Sequence, residues 1–340
     1  MVKFDKSGNL STNQKLLFIF SLPRSGSTLL QRILVAHNDI ATASEPWLLL
    51  PYLYTLKREG VSAEYNHRVL FNAVKDFCLE LPHGQDDYVQ EINSFVKRLY
   101  AKTNKKDAKY FLDKTPRYHL ITSEIIRAFP GEKFILLLRN PLAVVASMID
   151  TWGNGKWNLC QYKVDLYAGL NNLIETKKNY KDTVLSIRYE DLLTNPEQEL
   201  RRVFNYLELP FYQELMHHFN KTQLKGRLGD PKGTKQYHSI SKVPLEKWKH
   251  TLRNPFRKMW CRRYLKSIGH ENIVEMGYNP DMLLSELRAS PFSLRFLISD
   301  ILINTLVRIQ HIVSVTERFF IKLKYKLFLG NNSWLKNRKL

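Results

Sequence analysis

Three short segments carry residues whose types and spacing suit anion chemistry. The first is "SLPRSGSTLL", Ser21 to Leu30, which follows the apolar run "KLLFIF". A small-residue turn between a strand and a helix makes a nest of backbone N–H groups, and such a nest favours an anion. A loop for a nucleoside triphosphate, G-x-x-x-x-G-K-[ST], would need a lysine after its second glycine. Aligned on Gly26, this chain has Ser21 at the first glycine, Ser27 at the lysine and Thr28 at the hydroxyl position. Arg24, inside the turn, offers a planar, permanently charged fork instead.

The second segment is "LLLRNPLAVVASMIDTW". Arg139 ends its apolar run, and Ser147 lies eight positions on, two turns into a helix that Pro141 opens well. The third, "DKTPRY", places Lys114 at the end of the run "KYFLDK". Ligands of an open parallel sheet bind outside the carboxyl ends of its strands. The 21–28 loop, Lys114 and Arg139 are therefore expected at one edge, with the loop and Arg139 forming two separated clusters on opposite ends of a bis-anionic ligand. The strongest later strand ends in Arg139 rather than an aspartate, so no Walker B carboxylate for Mg²⁺ is expected, and no metal.

The elements that must position these residues alternate. Strands are predicted over 15–21, 110–114, 133–139 and 183–188, and helices over 26–37, 118–129, 141–152, 159–179 and 196–206, with a helical insert over about 64–104. Short continuous apolar strands between helices predict an α/β fold with a parallel sheet flanked by helices and buried on both faces. The chain is 340 residues long and 44% hydrophobic, enough for one large domain. A polar leader is expected over 1–13, that domain over 14–280, and a helical C-terminal extension over 281–340. Cys78, Cys160 and Cys261 are too few and too scattered for a disulfide framework, which suggests a reducing compartment. The histidines show no metal-ligand spacing.

Together the motifs resemble the PAPS-dependent sulfotransferase superfamily, most closely its bacterial and tyrosylprotein-sulfotransferase-like branch. "FIFSLPRSGSTLLQRIL" resembles its 5′-phosphosulfate loop and "LLLRNPLAVVASMI" its 3′-phosphate motif. "IRYEDLLTNPEQELRRVFNYLELPF" resembles the segment after its fourth core strand, and the likeness runs over roughly 14–275. The resemblance implies a P-loop NTPase-like sheet. It also implies 3′-phosphoadenosine 5′-phosphosulfate (PAPS) as donor and adenosine 3′,5′-bisphosphate (PAP) as product. Such a donor has no γ-phosphate for a Walker lysine to reach.

By this likeness Arg24, Ser25, Gly26, Ser27 and Thr28 would hold the 5′ end, and Arg139 and Ser147 the 3′-phosphate. Glu45, 21 positions after Arg24, stands where the tyrosylprotein branch carries its base, and apolar Trp47 and Leu48 beside it would raise its pKa. His37, at the end of the first helix, is the rival base, and His119 a weaker one. Lys114, with Arg24, would neutralise charge on the departing bisphosphate. Tyr189 would stack on or bond the nucleotide, and Lys247, after a late loop "GDPKGTKQYHSISKVPLEKW", would approach the 3′-phosphate. Thr151 replaces a phosphate-binding arginine of some tyrosylprotein enzymes, and the polar start "MVKFDKSGNLSTNQK" lacks their membrane anchor. Both departures weigh against a protein-tyrosine acceptor and a secretory location; the expectation is a saccharide or lipid-linked hydroxyl acceptor and a cytoplasmic enzyme.

The net charge of +20 suggests an anionic partner. Residues 291–340 hold nine basic residues against Asp300 and Glu317, among many apolar ones. A basic amphipathic tail predicts a membrane-surface element, the alternative being packing on the domain or on a second subunit of a homo-oligomer. Two rival functions are a P-loop kinase or NTPase and a non-enzymatic binder of membrane or nucleic acid. The missing Walker lysine weighs against the first, and the absence of any nucleic-acid motif against nucleic acid as a partner.

Overall fold

A computed structural model describes residues 14–61, 63, 65–103, 107–219, 239–307 and 309. The elements that build its central layers are β1 (Lys15–Ser21), α1 (Ser27–Val35), β2 (Ile40–Thr42), α2 (Leu49–Leu53), α3 (His67–Leu79), α4 (Gln85–Thr103) and β3 (Tyr110–Asp113). There follow α5 (Thr122–Ala128), β4 (Lys133–Leu138), α6 (Pro141–Trp152), α7 (Leu170–Asn179), β5 (Val184–Arg188), α8 (Tyr189–Thr194) and α9 (Pro196–Tyr206). The strands form one parallel sheet in the order β2-β3-β1-β4-β5.

Alternation within each strand explains the continuous apolar runs. Phe18, Phe20, Phe111, Phe134 and Leu136 face one core with α4–α7, where the Phe18, Phe20 and Phe134 rings stack. Leu17, Ile19, Leu112, Ile135 and Leu137 face a second core built with α1, α8 and α9. Both faces are buried, as parallel strands require. Beyond residue 239, helices Pro255–Ile268, His270–Glu275 and Pro280–Ala289 add Tyr264, Leu265, Ile273, Leu283 and Leu287 to the first core.

The chain leaves β1 toward one sheet edge and β4 toward the other, while β1 and β4 are neighbours with Ser21 opposite Leu137. Their carboxyl ends therefore flank the crevice where an open sheet binds ligands. Besides the short helices α2 and α8, which the sequence did not mark, three regions differ from expectation. β2 was not predicted, because its three residues, "IAT", carry no period. The region predicted as one helix over 118–129 starts as a 3₁₀ turn, Pro116–Leu120. The region 159–179 divides into a 3₁₀ turn, Leu159–Tyr162, a wide π turn, Val164–Gly169, and α7, and the wide turn carries Asp165 inward.

Candidate active site

The loop after β1 begins the site. Arg24 adopts φ 68° and Gly26 φ 90°, both left-handed. Gly26 precedes the first residue of α1, which has no side-chain cap. The first N–H groups of α1 are thus left for a ligand, the arrangement that binds anions. Gly26 is needed for contact as well as for φ. A β-carbon there would lie 2.2 Å from the Tyr189 ring.

Arg139, at the end of β4, lies directly against this loop. Its Nη1 donates to the Arg24 carbonyl at 2.7 Å, and Arg24 Nε donates to Ser147 Oγ at 3.3 Å. The two expected clusters are in contact, because β1 and β4 are adjacent strands. The Arg139 guanidinium lies 4.4 Å over the Tyr189 ring. Among the described residues, the buried Arg139 Nε has no hydrogen-bond partner. A buried donor of this kind needs an acceptor, and an anionic ligand would supply one.

Tyr189 is fully buried beneath Gly26 and Arg139, so it supports the loop rather than stacking on a nucleotide. Ser25 is buried within the turn, its N–H donating to the Leu22 carbonyl at 3.3 Å. Lys247 is exposed in the first turn of helix Lys247–Thr251 and is not among the residues lining the site. Most of the late loop before it lies outside the described residues.

Glu45 follows the unpredicted β2, which pairs with β3 and so brings it beside Lys114. Glu45 Oε1 accepts from Lys114 Nζ at 2.6 Å, and Oε2 accepts from Trp47 Nε1 at 3.4 Å. The Lys114 side chain is 1% exposed and that of Glu45 9%. Lys114 Nζ also reaches Thr28 Oγ1 at 3.5 Å, so it stands between the carboxylate and the anion loop. The apolar setting expected for Glu45 is therefore not what it meets. Its charge faces an ammonium.

A carboxylate does stand at the end of a strand beside β1, contrary to expectation. β3 adjoins β1 and does end in an aspartate, Asp113. Its side chain is turned into the core. Tyr100 and Tyr118 hydroxyls donate to Oδ2 at 2.5 and 2.9 Å, and Thr115 donates to Oδ1 at 3.0 Å. Burial raises its pKa to about 6, against the three hydroxyl donors and Lys114, which lower it. The same cage holds the Glu45 segment. Thr115 Oγ1 accepts from the Trp47 N–H at 3.2 Å, and the Tyr118 hydroxyl accepts from the Leu49 N–H at 3.1 Å.

Neither histidine lies at the site. His37 is buried between Phe204 and Tyr212, and its Nδ1 accepts from the Asp39 N–H at 3.1 Å. His119 is fully buried 2.7 Å from Asp165, and desolvation lowers its pKa. Arg117 caps this pair at 3.2 Å from Asp165 and lines the cavity.

The cavity itself is lined by Arg24, Gly26, Ser27, Thr28, Glu45 and Lys114 on one side. Trp47, Trp152, Tyr162 and Arg117 line the other, with the Trp152 and Tyr162 rings 4.4 Å apart. The sequence reading did not single out this aromatic wall. Its rings, Trp47, Trp152 and Tyr162, come from three separate segments, and only the fold makes them neighbours.

The fold and site define an α/β protein with an arginine-bearing anion cradle beside a carboxylate–ammonium pair. The family model described as "Sulfotransferase family" matches residues 17–214. The chain belongs to the sulfotransferase family and is an enzyme of that class. It is 28% identical over 270 residues to protein-tyrosine sulfotransferase 1 of Danio rerio, a match covering 71% of this chain and 69% of that one. It is 29% identical over 220 residues to the nodulation protein NoeE of Sinorhizobium fredii, covering 58% of this chain and 51% of NoeE. The chain thus spans about half of NoeE's length. Among solved structures it is similar to a sulfotransferase domain from the curacin biosynthetic pathway, with TM-score 0.48 and 24% identity over 70% of this chain and 92% of that chain.

Proposed function

We propose that the chain moves a sulfuryl group from PAPS to a hydroxyl on a ring-bearing acceptor, with Glu45 as base and Lys114 as the cation at the departing oxygen. The observation that carries this reading is Lys114 Nζ, 2.6 Å from Glu45 and 3.5 Å from the loop hydroxyl of Thr28. A carboxylate and a cation then share one side of an anion cradle. Sulfuryl transfer asks for little else: alignment, charge neutralisation and a proton acceptor.

In this scheme the α1 N-terminus and Arg24 take the 5′-phosphosulfate, and Arg139 and Ser147 the 3′-phosphate. The acceptor oxygen attacks sulfur in line with the bond to the 5′-phosphate. Its proton passes to Glu45, the sulfur–oxygen bond breaks, and the electron pair leaves with PAP. Protonation of Glu45 weakens its hold on Lys114, and the ammonium is then available to the leaving oxygen. Removal of the base costs about 10²–10⁴-fold in such reactions.

The acceptor side is aromatic: Trp47, Trp152 and Tyr162. Aromatic faces suit ring-bearing acceptors. A saccharide or lipid-linked hydroxyl, expected from the sequence, and a tyrosyl hydroxyl, suggested by the relatives' names, both fit this wall. Incubation of the full chain with sulfur-labelled PAPS and a panel of tyrosyl peptides, saccharides and glycolipids tests the reading. Label transfer to one class identifies it. Phosphate transfer from Mg-ATP, with no sulfuryl transfer to any member, would overturn the reading in favour of a kinase.

A further inference from the structure

The helix over 297–307 is amphipathic in the reverse sense. Its charged residue Asp300 faces the protein, and a row of its apolar residues faces solvent. Asp300 is fully buried, and three residues hold it. Arg257 Nε donates to Oδ2 at 2.6 Å and Nη2 to Oδ1 at 3.1 Å. Asn254 Nδ2 adds 2.8 Å and the Trp157 N–H 3.2 Å. Asn304, one turn on, faces the Cys160 thiol, while Leu297 and Ile303 pack on the first core. A buried carboxylate with this many donors fixes the rotation of the helix, because any other rotation would strand its charge in the interior.

The opposite face is apolar but for Thr305, whose hydroxyl donates to the Ile301 carbonyl. Ile298 is 75% exposed and Leu306 63%, and Leu302 between them, Ile301 and Ile309 are exposed as well. Ile298, Leu302 and Leu306 follow one another at i+4 spacing, the period of a continuous helical stripe. Phe292 and Leu294, just before the helix, are exposed too. Scattered exposed apolar residues need no explanation, but a contiguous row marks an interaction surface.

Charge decides the occupant. From 291 to 340 the chain has nine Lys and Arg against two acidic residues, and one of those two, Asp300, is the buried one. An apolar row that continues into strongly basic sequence matches an anionic bilayer surface better than a second copy, which would set the same basic stretches against each other. No described helix is long and apolar enough to cross a membrane, so the geometry fits lying on the surface. We infer that the 297–309 face is a docking surface for anionic lipid, with Ile298, Leu302 and Leu306 entering the interface.

The test is co-sedimentation of the full chain with phosphatidylcholine vesicles, with and without phosphatidylglycerol. It is repeated for Ile298→Ser/Leu302→Ser/Leu306→Ser, which alters exposed positions away from the cavity. The wild type is expected to bind the anionic vesicles and to release on raising salt. The triple variant should bind roughly tenfold less or worse, with PAP binding unchanged as the control for folding. Equal binding of variant and wild type would overturn the inference, as would no wild-type binding. A concentration-dependent dimer that the three serines abolish would reassign the face to self-association, and would overturn it too.

Discussion

Lys114 and Glu45 form a nearly dry ion pair, 2.6 Å between Nζ and Oε1, at the junction of the anion loop and the aromatic wall. Neither residue is fixed by its own segment alone. Lys114 follows β3, Glu45 follows β2, and pairing of those two strands sets the distance. The pair has a structural cost and a chemical use, and the two are separable by experiment.

Glu45→Gln keeps the shape and removes the proton acceptor. Turnover is expected to fall by about 10²–10⁴-fold, with PAP affinity within a small factor of wild type. Steady-state rates beside calorimetric titration of PAP check this, and a variant with wild-type turnover would exclude Glu45 as the base.

Lys114→Met strands the Glu45 carboxylate. Breaking a buried pair by removing one partner destabilises by about 3–5 kcal/mol. The Glu45→Gln/Lys114→Met double variant is expected to regain part of that loss, since no unpaired charge remains. Chemical denaturation of the four proteins in the cycle measures the coupling. Additive losses would mean that the two groups do not interact in solution.

The Asp113 cage has a pH signature. Its carboxyl is raised from an ordinary 3.8 to about 6 by burial. The native state therefore binds the proton more tightly than the unfolded chain. The stability this contributes is fully present below about pH 4 and is lost as pH rises through about 6, an effect on the order of 3 kcal/mol. In Asp113→Asn that slope is expected to vanish, so the stability of the wild type relative to the variant should decline between those pH values. Denaturation midpoints across the range decide it. Parallel curves would show that Asp113 does not titrate there.

Gly26 and Tyr189 are expected to behave as a packing pair. Gly26→Ala brings a β-carbon to 2.2 Å from the tyrosine ring and places alanine at φ 90°. Strain and overpacking of this kind cost about 1–3 kcal/mol each. Tyr189→Ala in the same chain should relieve the clash but not the backbone strain. Thermal melts of the single and double variants distinguish this from a loop tolerant of alanine.

Much of this was legible in the residues. β1, α6 and α9 fell where the sequence put them, because each combines a clear apolar period with a sharp boundary: Ser21, Pro141 and Pro196. Arg24, Glu45, Lys114 and Thr28 meet in one cavity. What the sequence could not show is adjacency between strands. The order β3-β1-β4 puts Arg139 in contact with the loop. It also puts Asp113 at the end of β1's neighbour, where an aspartate had been thought missing. Tyr189 gave no sign that it would be floor rather than wall, since a buried and a stacking tyrosine read alike in sequence.

Sulfuryl transfer by this chain requires a nucleotide-binding cradle to which the loop and Arg139 both contribute. Titration of PAP into the full chain, wild type and Arg139→Ala, with Mg-ATP as comparison, tests it most directly. Saturable binding of PAP is expected, weakened about tenfold or more in the variant through loss of a charge-assisted contact, with Mg-ATP bound far more weakly. Mg-ATP binding tighter than PAP, or PAP affinity indifferent to Arg139, would contradict it.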